Sequence, residues 1–264
     1  MKKIVSIIAS AALISMLGVG ISGCGNSTNS STQSNSSSQT ETSSNTGDSS
    51  SESNSDSTKS SSESDTSSKT ESSSKTTTSY ISTTDPDDEY ATGTHHAVVT
   101  VKGYDSFTIT LNANVAPVTV SNFCKLSNEG YYNGLTFHRV VDEFCLQGGD
   151  PNGDGTGGSD DEILGEFSEN GVANKLADNY ERGTVAMARS TDPNSASSQF
   201  FITLSDDASY SLNGKYAAFG TISSKGMKIV DKIVEDCLDA ADSSTGTISD
   251  SSKQPVIKSI KISD

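Results

Sequence analysis

The side chains best suited to chemistry in this chain fall in a few short stretches. They are Phe137-His138-Arg139, Phe144-Cys145-Leu146-Gln147-Gly148-Gly149-Asp150, Gly183 to Arg189, Ser198-Gln199-Phe200-Phe201-Ile202, and Leu212-Asn213-Gly214-Lys215-Tyr216 ahead of Phe219-Gly220. Arg139 stands among aromatic residues and side-chain amides. An arginine keeps its charge at every relevant pH, and its stiff fork can donate to an atom that gains electron density during a reaction. Other chemistries find less support. No Ser/His/Asp arrangement stands out, and neither a CxxC pair nor a Cys/His cluster suggests a metal. Asp150, Asn152, Asp154, Gly155 and Asp161 fit positions 1, 3, 5, 6 and 12 of a calcium loop. That loop ends on Asp in place of Glu and follows a strand in place of a helix, so it reads as glycine-rich loop structure. The run Gly153-Asp154-Gly155-Thr156-Gly157-Gly158 lacks the GK[ST] of a phosphate loop.

These residues need elements to hold them. His96–Lys102 and Ser106–Leu111 read as strands joined by a turn at Gly103-Tyr104-Asp105. Pro117 opens a helix through about Asn128, with Gly130 just past its end. A strand-rich region covers Thr136–Gln147, and Gly148-Gly149-Asp150 leads into a long loop. Gly183–Arg189, Gln199–Leu204 and Tyr216–Ile222 read as core strands. Val230, Ile233, Val234 and Cys237 share one face of a second helix, and Pro255–Ile262 supplies a last strand. Many short strands with two helices argue for a mainly β barrel or sandwich and against a doubly wound sheet.

Taken together and in order, the motifs resemble those of the cyclophilins, peptidyl-prolyl cis/trans isomerases, over about residues 96–262. The resemblance implies a closed eight-stranded antiparallel β-barrel capped by two α-helices. It also implies catalysis without metal or cofactor. An X-Pro bond turns slowly because twisting it destroys amide resonance, a barrier of roughly 18–20 kcal/mol. A catalyst needs an apolar seat for the proline ring and a group that favours the twisted amide.

By the same resemblance Arg139 is the catalytic donor, and Gln147 orients it and the substrate. Phe144, Phe201 and Leu212 line the proline pocket. Ala188 and Arg189 line the groove for residues preceding the proline, with Gln199 beside them, and His138 makes a structural hydrogen bond. The chain departs from the common pattern in several places. Cys145 stands where many relatives have Met, Tyr216 where many have His, and Arg189 where Asn is frequent. Ser211 replaces a Trp that in some relatives binds cyclosporin, which implies weaker cyclosporin inhibition. These departures leave open a second reading, a peptide-binding or holdase module that has kept the barrel and lost turnover.

The ends of the chain say where such a domain would act. Lys2 and Lys3 precede an apolar run to Ile21, and Gly23-Cys24 follows. The segment 1–23 resembles a bacterial lipoprotein signal, in which Cys24 is acylated and becomes the mature N-terminus. Residues 25–84 hold 39 Ser and Thr in 60 positions, a composition expected to form a disordered tether. Its reach would be about 40–45 Å. The domains expected are therefore signal 1–23, lipidated Cys24 and linker 24–90, and isomerase domain 91–264. The expected setting is the outer face of a cell membrane, with proline-containing unfolded or partly folded polypeptides as partners and a monomeric state. The formal net charge of −16 makes binding to nucleic acid by bulk charge unfavourable. Beyond Cys24, three cysteines allow at most one internal disulfide.

Overall fold

A computed structural model describes residues 79–264. The expected signal segment, Cys24 and the expected linker as far as residue 78 lie outside the described residues. Eight strands form one antiparallel sheet: β1 Thr94–Val101, β2 Phe107–Asn112, β3 Thr136–Val141, β4 Cys145–Asp150, β5 Thr184–Met187, β6 Phe200–Thr203, β7 Ala218–Ile222 and β8 Ile257–Ile262. Their order around the sheet is β3-β4-β6-β5-β7-β2-β1-β8. The two outer strands meet at a short seam, where Thr136 bridges Val256 and Phe137 N–H donates to the Pro255 carbonyl at 2.9 Å. The barrel is thereby nearly closed, which leaves little unpaired edge.

Side chains alternate across each strand. Val99, Ile109, Leu146, Val185, Phe200, Ile202 and Phe219 point inward and share one buried cluster. Phe123 joins it from helix α1, Pro117–Asn128, with its ring 5.0 Å from Phe219 and 5.6 Å from Phe200. Helix α3, Ser224–Cys237, buries Met227, Val230, Ile233, Val234 and Cys237 in the same interior. A one-turn helix α2, Ser209–Leu212, adds a third to the two expected. Strand β4 also runs on through Gly148-Gly149-Asp150, where a loop was expected. Those glycines answer close approaches. A Cβ on Gly148 would lie 2.7 Å from the Thr136 carbonyl, and Gly149 has φ +85° with the Ser198 carbonyl equally near.

The ends of α1 show how distant residues complete a local element. Its C-terminus closes with Gly130 at φ +74° while Tyr131 N–H reaches back to the Leu126 carbonyl at 2.9 Å. Its N-terminus has Ala116 at the cap, which offers no side-chain acceptor. Glu166 does the capping instead, accepting from Val118 N–H at 3.0 Å, Thr119 N–H at 2.8 Å and Thr119 Oγ1 at 2.6 Å. The carboxylate also suits the positive end of the helix dipole. Glu166 is buried, and burial raises its pKa against the pull of those three donors.

Ahead of the barrel, Ile81 pairs in parallel with Ile163, with Ile81 N–H donating to the Glu162 carbonyl at 2.8 Å. Ser79, at the start of this arm, reaches the groove described below. The fold generates one stability prediction. Glu166→Ala leaves three buried donors unpaired and should cost about 1–3 kcal/mol. Glu166→Gln keeps one acceptor oxygen and should lose less, both read as shifts in the denaturant midpoint.

Candidate functional site

The site begins with a register. Arg139 on β3 faces Gln147 on β4, Gln147 faces Phe201 on β6, and Phe201 faces Ala186 on β5. These four residues form a row on the outer surface of the barrel, because their neighbours Leu146, Phe200, Ile202 and Val185 point inward. Arg139 takes part through an irregularity. Phe137 lies opposite Gly148 and Arg139 opposite Gln147, so His138 is an extra residue on β3. Two residues apart on a regular strand would share a face. The bulge changes the phase, and Phe137 fills the core while Arg139 faces out.

Arg139 is then tied down. Its Nε donates to the Thr245 carbonyl at 2.8 Å, and its Nη1 donates to Cys145 Sγ at 3.2 Å and Gln147 Oε1 at 3.3 Å. Gln147 passes the chain on, its Nε2 donating to Gln199 Oε1 at 2.9 Å. Gln199 Nε2 ends it at the Gly155 and Gly157 carbonyls, 3.1 and 2.7 Å away. Among the described residues Arg139 makes no ion pair, so its charge is unspent and its Nη2 is free to donate.

Beside this polar chain lies a second apolar cluster, outside the barrel. Cys145, Ala186 and Phe201 from the strands, and Ala188 just past β5, meet Leu212 from α2, with Phe144 and Tyr216 half-buried at its rim. Tyr216 meets Phe201 edge to face at 5.7 Å, and Tyr180 stacks on Phe201 at 6.5 Å while its hydroxyl donates to the Tyr216 carbonyl. Cys124, Cys145 and Cys237 are buried free thiols, so no internal disulfide forms among them. Burial pushes the Cys145 thiol up to about 11 although Arg139 pulls it down, which leaves a neutral acceptor for the guanidinium at ordinary pH.

An open groove of about 670 Å³ adjoins the cluster, lined by Arg139, Gln147, Ala188, Arg189, Gln199 and the glycine-rich loop. The residues expected from the motifs thus divide into a groove set and an apolar set that meet at Arg139. Ser211 is exposed and donates to the Ala208 carbonyl, and its neighbour Tyr210 is 90% exposed, so neither covers the apolar cluster. Sequence reasoning missed Tyr180, which supports Phe201, and Phe167, whose ring lies 5.1 Å from the Arg189 guanidinium. No motif signal marked either. Among the described residues no group of three or more metal-ligating side chains occurs.

The sequence profile described as "Cyclophilin type peptidyl-prolyl cis-trans isomerase/CLD" matches residues 96–263. The chain is 42% identical over 128 residues to "Peptidyl-prolyl cis-trans isomerase-like 1" of Emericella nidulans, covering 48% of this chain and 75% of that protein. It is 39% identical over 155 residues to "Peptidyl-prolyl cis-trans isomerase" of Helicobacter pylori, covering 58% and 89%. A crystal structure of a Cryptosporidium parvum cyclophilin type isomerase in the presence of the dipeptide Ala-Pro superposes with TM-score 0.53 at 30% identity, covering 64% of this chain and 99% of that one. The chain belongs to the cyclophilin-type peptidyl-prolyl cis-trans isomerases.

His138 differs from its expected role. It is buried, yet neither ring nitrogen has a hydrogen-bond partner among the described residues. Burial lowers its pKa below 6.5; Asp150 opposes this and Arg139 adds to it. The unfolded chain therefore takes up this proton before the folded one, and stability falls as pH drops below about 6.5. The unfolding midpoint should decline between about pH 7 and pH 5, and His138→Gln should make that decline shallower.

Proposed function

We propose that this isomerase accelerates rotation about X-Pro bonds by seating the proline ring against Phe144, Phe201 and Leu212 while Arg139 favours the twisted amide. As the bond twists, resonance is lost and the lone pair localises on the prolyl nitrogen. A guanidinium that donates to that nitrogen, or to the adjacent carbonyl, binds the twisted state more strongly than the planar one. No bond is made or broken. Cys145 and Tyr216 complete the pocket walls, and Ala188, Arg189 and Gln199 contact residues ahead of the proline.

The observation that carries this reading is the state of Arg139. Its fork is held by the Thr245 carbonyl, Cys145 Sγ and Gln147 Oε1 at the rim of an apolar cluster, with no carboxylate among the described residues neutralising it. A donor fixed in advance spends little on reorganisation when the amide twists. Gln147 is a positioning residue here: it accepts from Arg139 and is itself held by Gln199.

The proposed setting rests on the N-terminal sequence. Gly23-Cys24 after an apolar run supports acylation of Cys24, and the Ser/Thr-rich stretch supports a long tether. The domain would then act on exported or surface proteins at the outer face of a membrane, held there by lipid. Two acyl chains would give the stable anchoring that one does not. No helix among the described residues is long and apolar enough to cross a membrane.

Two experiments test this. The intact chain should accelerate cis-to-trans exchange of a proline peptide, and Arg139→Ala should lower kcat/KM by about 100- to 1000-fold. A folded chain whose Arg139→Ala variant is as active as the parent sinks the role given to Arg139. In cell fractionation Cys24→Ala should move the protein out of the membrane fraction; retention there would contradict lipid anchoring.

A further inference from the structure

Arg189 is an unusual cation in an acidic protein. Its guanidinium is clamped between two rings, 4.8 Å from the centre of Tyr216 and 5.1 Å from that of Phe167. Backbone carbonyls hold it in the plane: Nε donates to Lys215 at 3.0 Å and Nη1 to Ser190 at 2.9 Å. Among the described residues it forms no ion pair, and Nη2 makes no hydrogen bond. The chain carries 34 acidic side chains against 18 basic ones, so an unpaired arginine is not for want of carboxylates. Arg189 lines the groove together with Arg139 and Gln147.

Its position relative to the proline seat is also set. Tyr216 is in contact with Arg189 and meets Phe201 edge to face at 5.7 Å. A peptide with its proline on Phe201 would thus bring the side chain of an adjacent residue to the guanidinium. Arg189 is also one of the groove residues, with Ala188 and Gln199, proposed above to contact residues preceding the proline. The acids lining the groove, Asp154, Asp160 and Glu162, lie within or just beyond the glycine-rich loop.

We infer that Arg189 determines specificity, favouring clients with an acidic side chain immediately before the proline. The inference rests on the proposed seating of proline at Phe201. A carboxylate accepting from Nη2 would form a charge-assisted hydrogen bond in a site partly shielded from water by two rings. Rings and backbone carbonyls already fix the guanidinium, so little side-chain entropy remains to be lost on binding.

The test compares two otherwise identical peptides, one with Glu-Pro and one with Gln-Pro, which differ in charge and hardly in shape. With the intact chain at low salt, kcat/KM for Glu-Pro should exceed that for Gln-Pro by about three- to tenfold. Arg189→Gln should bring the ratio to about one, whatever it does to the two rates together. Independently of any variant, raising salt to about 0.5 M should shrink the ratio by screening. A ratio near one in the parent, or one unchanged in Arg189→Gln, overturns the inference while leaving isomerisation intact. Acceleration of neither peptide would overturn the proposed seating as well.

Discussion

One extra residue in strand β3 sets up the rest of the site. Without the bulge at His138, alternation would send Phe137 and Arg139 to the same face, and either the core would lose a phenyl ring or a guanidinium would enter it. Burying an unpaired cation in that interior is prohibitive, so the bulge is the condition under which a packed barrel and an outward arginine coexist. Its cost is visible in the residue that forms it. His138 is enclosed with neither ring nitrogen satisfied within the described chain, a small local penalty.

Given that register, the site is a matter of layers. The inner layer is the barrel core with α1 and α3 packed into it. The outer one is a smaller cluster built on Phe201 and roofed by residues from α2 and nearby loops. Between groove and cluster runs a chain of side-chain hydrogen bonds from Arg139 through Gln147 and Gln199 to loop carbonyls. Every member of that chain is anchored to a strand or to backbone, so geometry and charge are set before a substrate arrives. The neutral Cys145 thiol fits this scheme as an uncharged acceptor that leaves the guanidinium its full charge.

Much of this was legible in the sequence because it is local. Alternation marked the strands, the spacing Val230, Ile233, Val234 and Cys237 marked the face of α3, and Pro117 with Gly130 marked the ends of α1. The motifs around Arg139, Phe201 and Leu212 identified the family, and the structure brings those residues together. What stayed hidden depends on partners far along the chain. Glu166 caps a helix 47 and 48 residues before it. Tyr180 supports Phe201, and Phe167 and Tyr216 clamp Arg189, through contacts that no short pattern encodes. The extension of β4 through Gly148-Gly149 was missed because glycine pairs ordinarily signal a turn, whereas here close-lying carbonyls demand them. The bulge leaves no mark at all, since Phe-His-Arg reads equally well as a regular strand.

The bond from Arg139 Nε to the Thr245 carbonyl spans 106 residues. Strand β3 is also flanked from the C-terminal side, where Thr247 bridges Arg139 and Val256 bridges Thr136. During synthesis, which proceeds from the N-terminus, β3 therefore exists long before the segment that completes its surroundings. A nascent or C-terminally clipped chain can carry every motif residue and still lack the fixed arginine. The fold thus has a built-in order of maturation, in which the pre-set arginine is acquired only once the chain's own folding is all but complete.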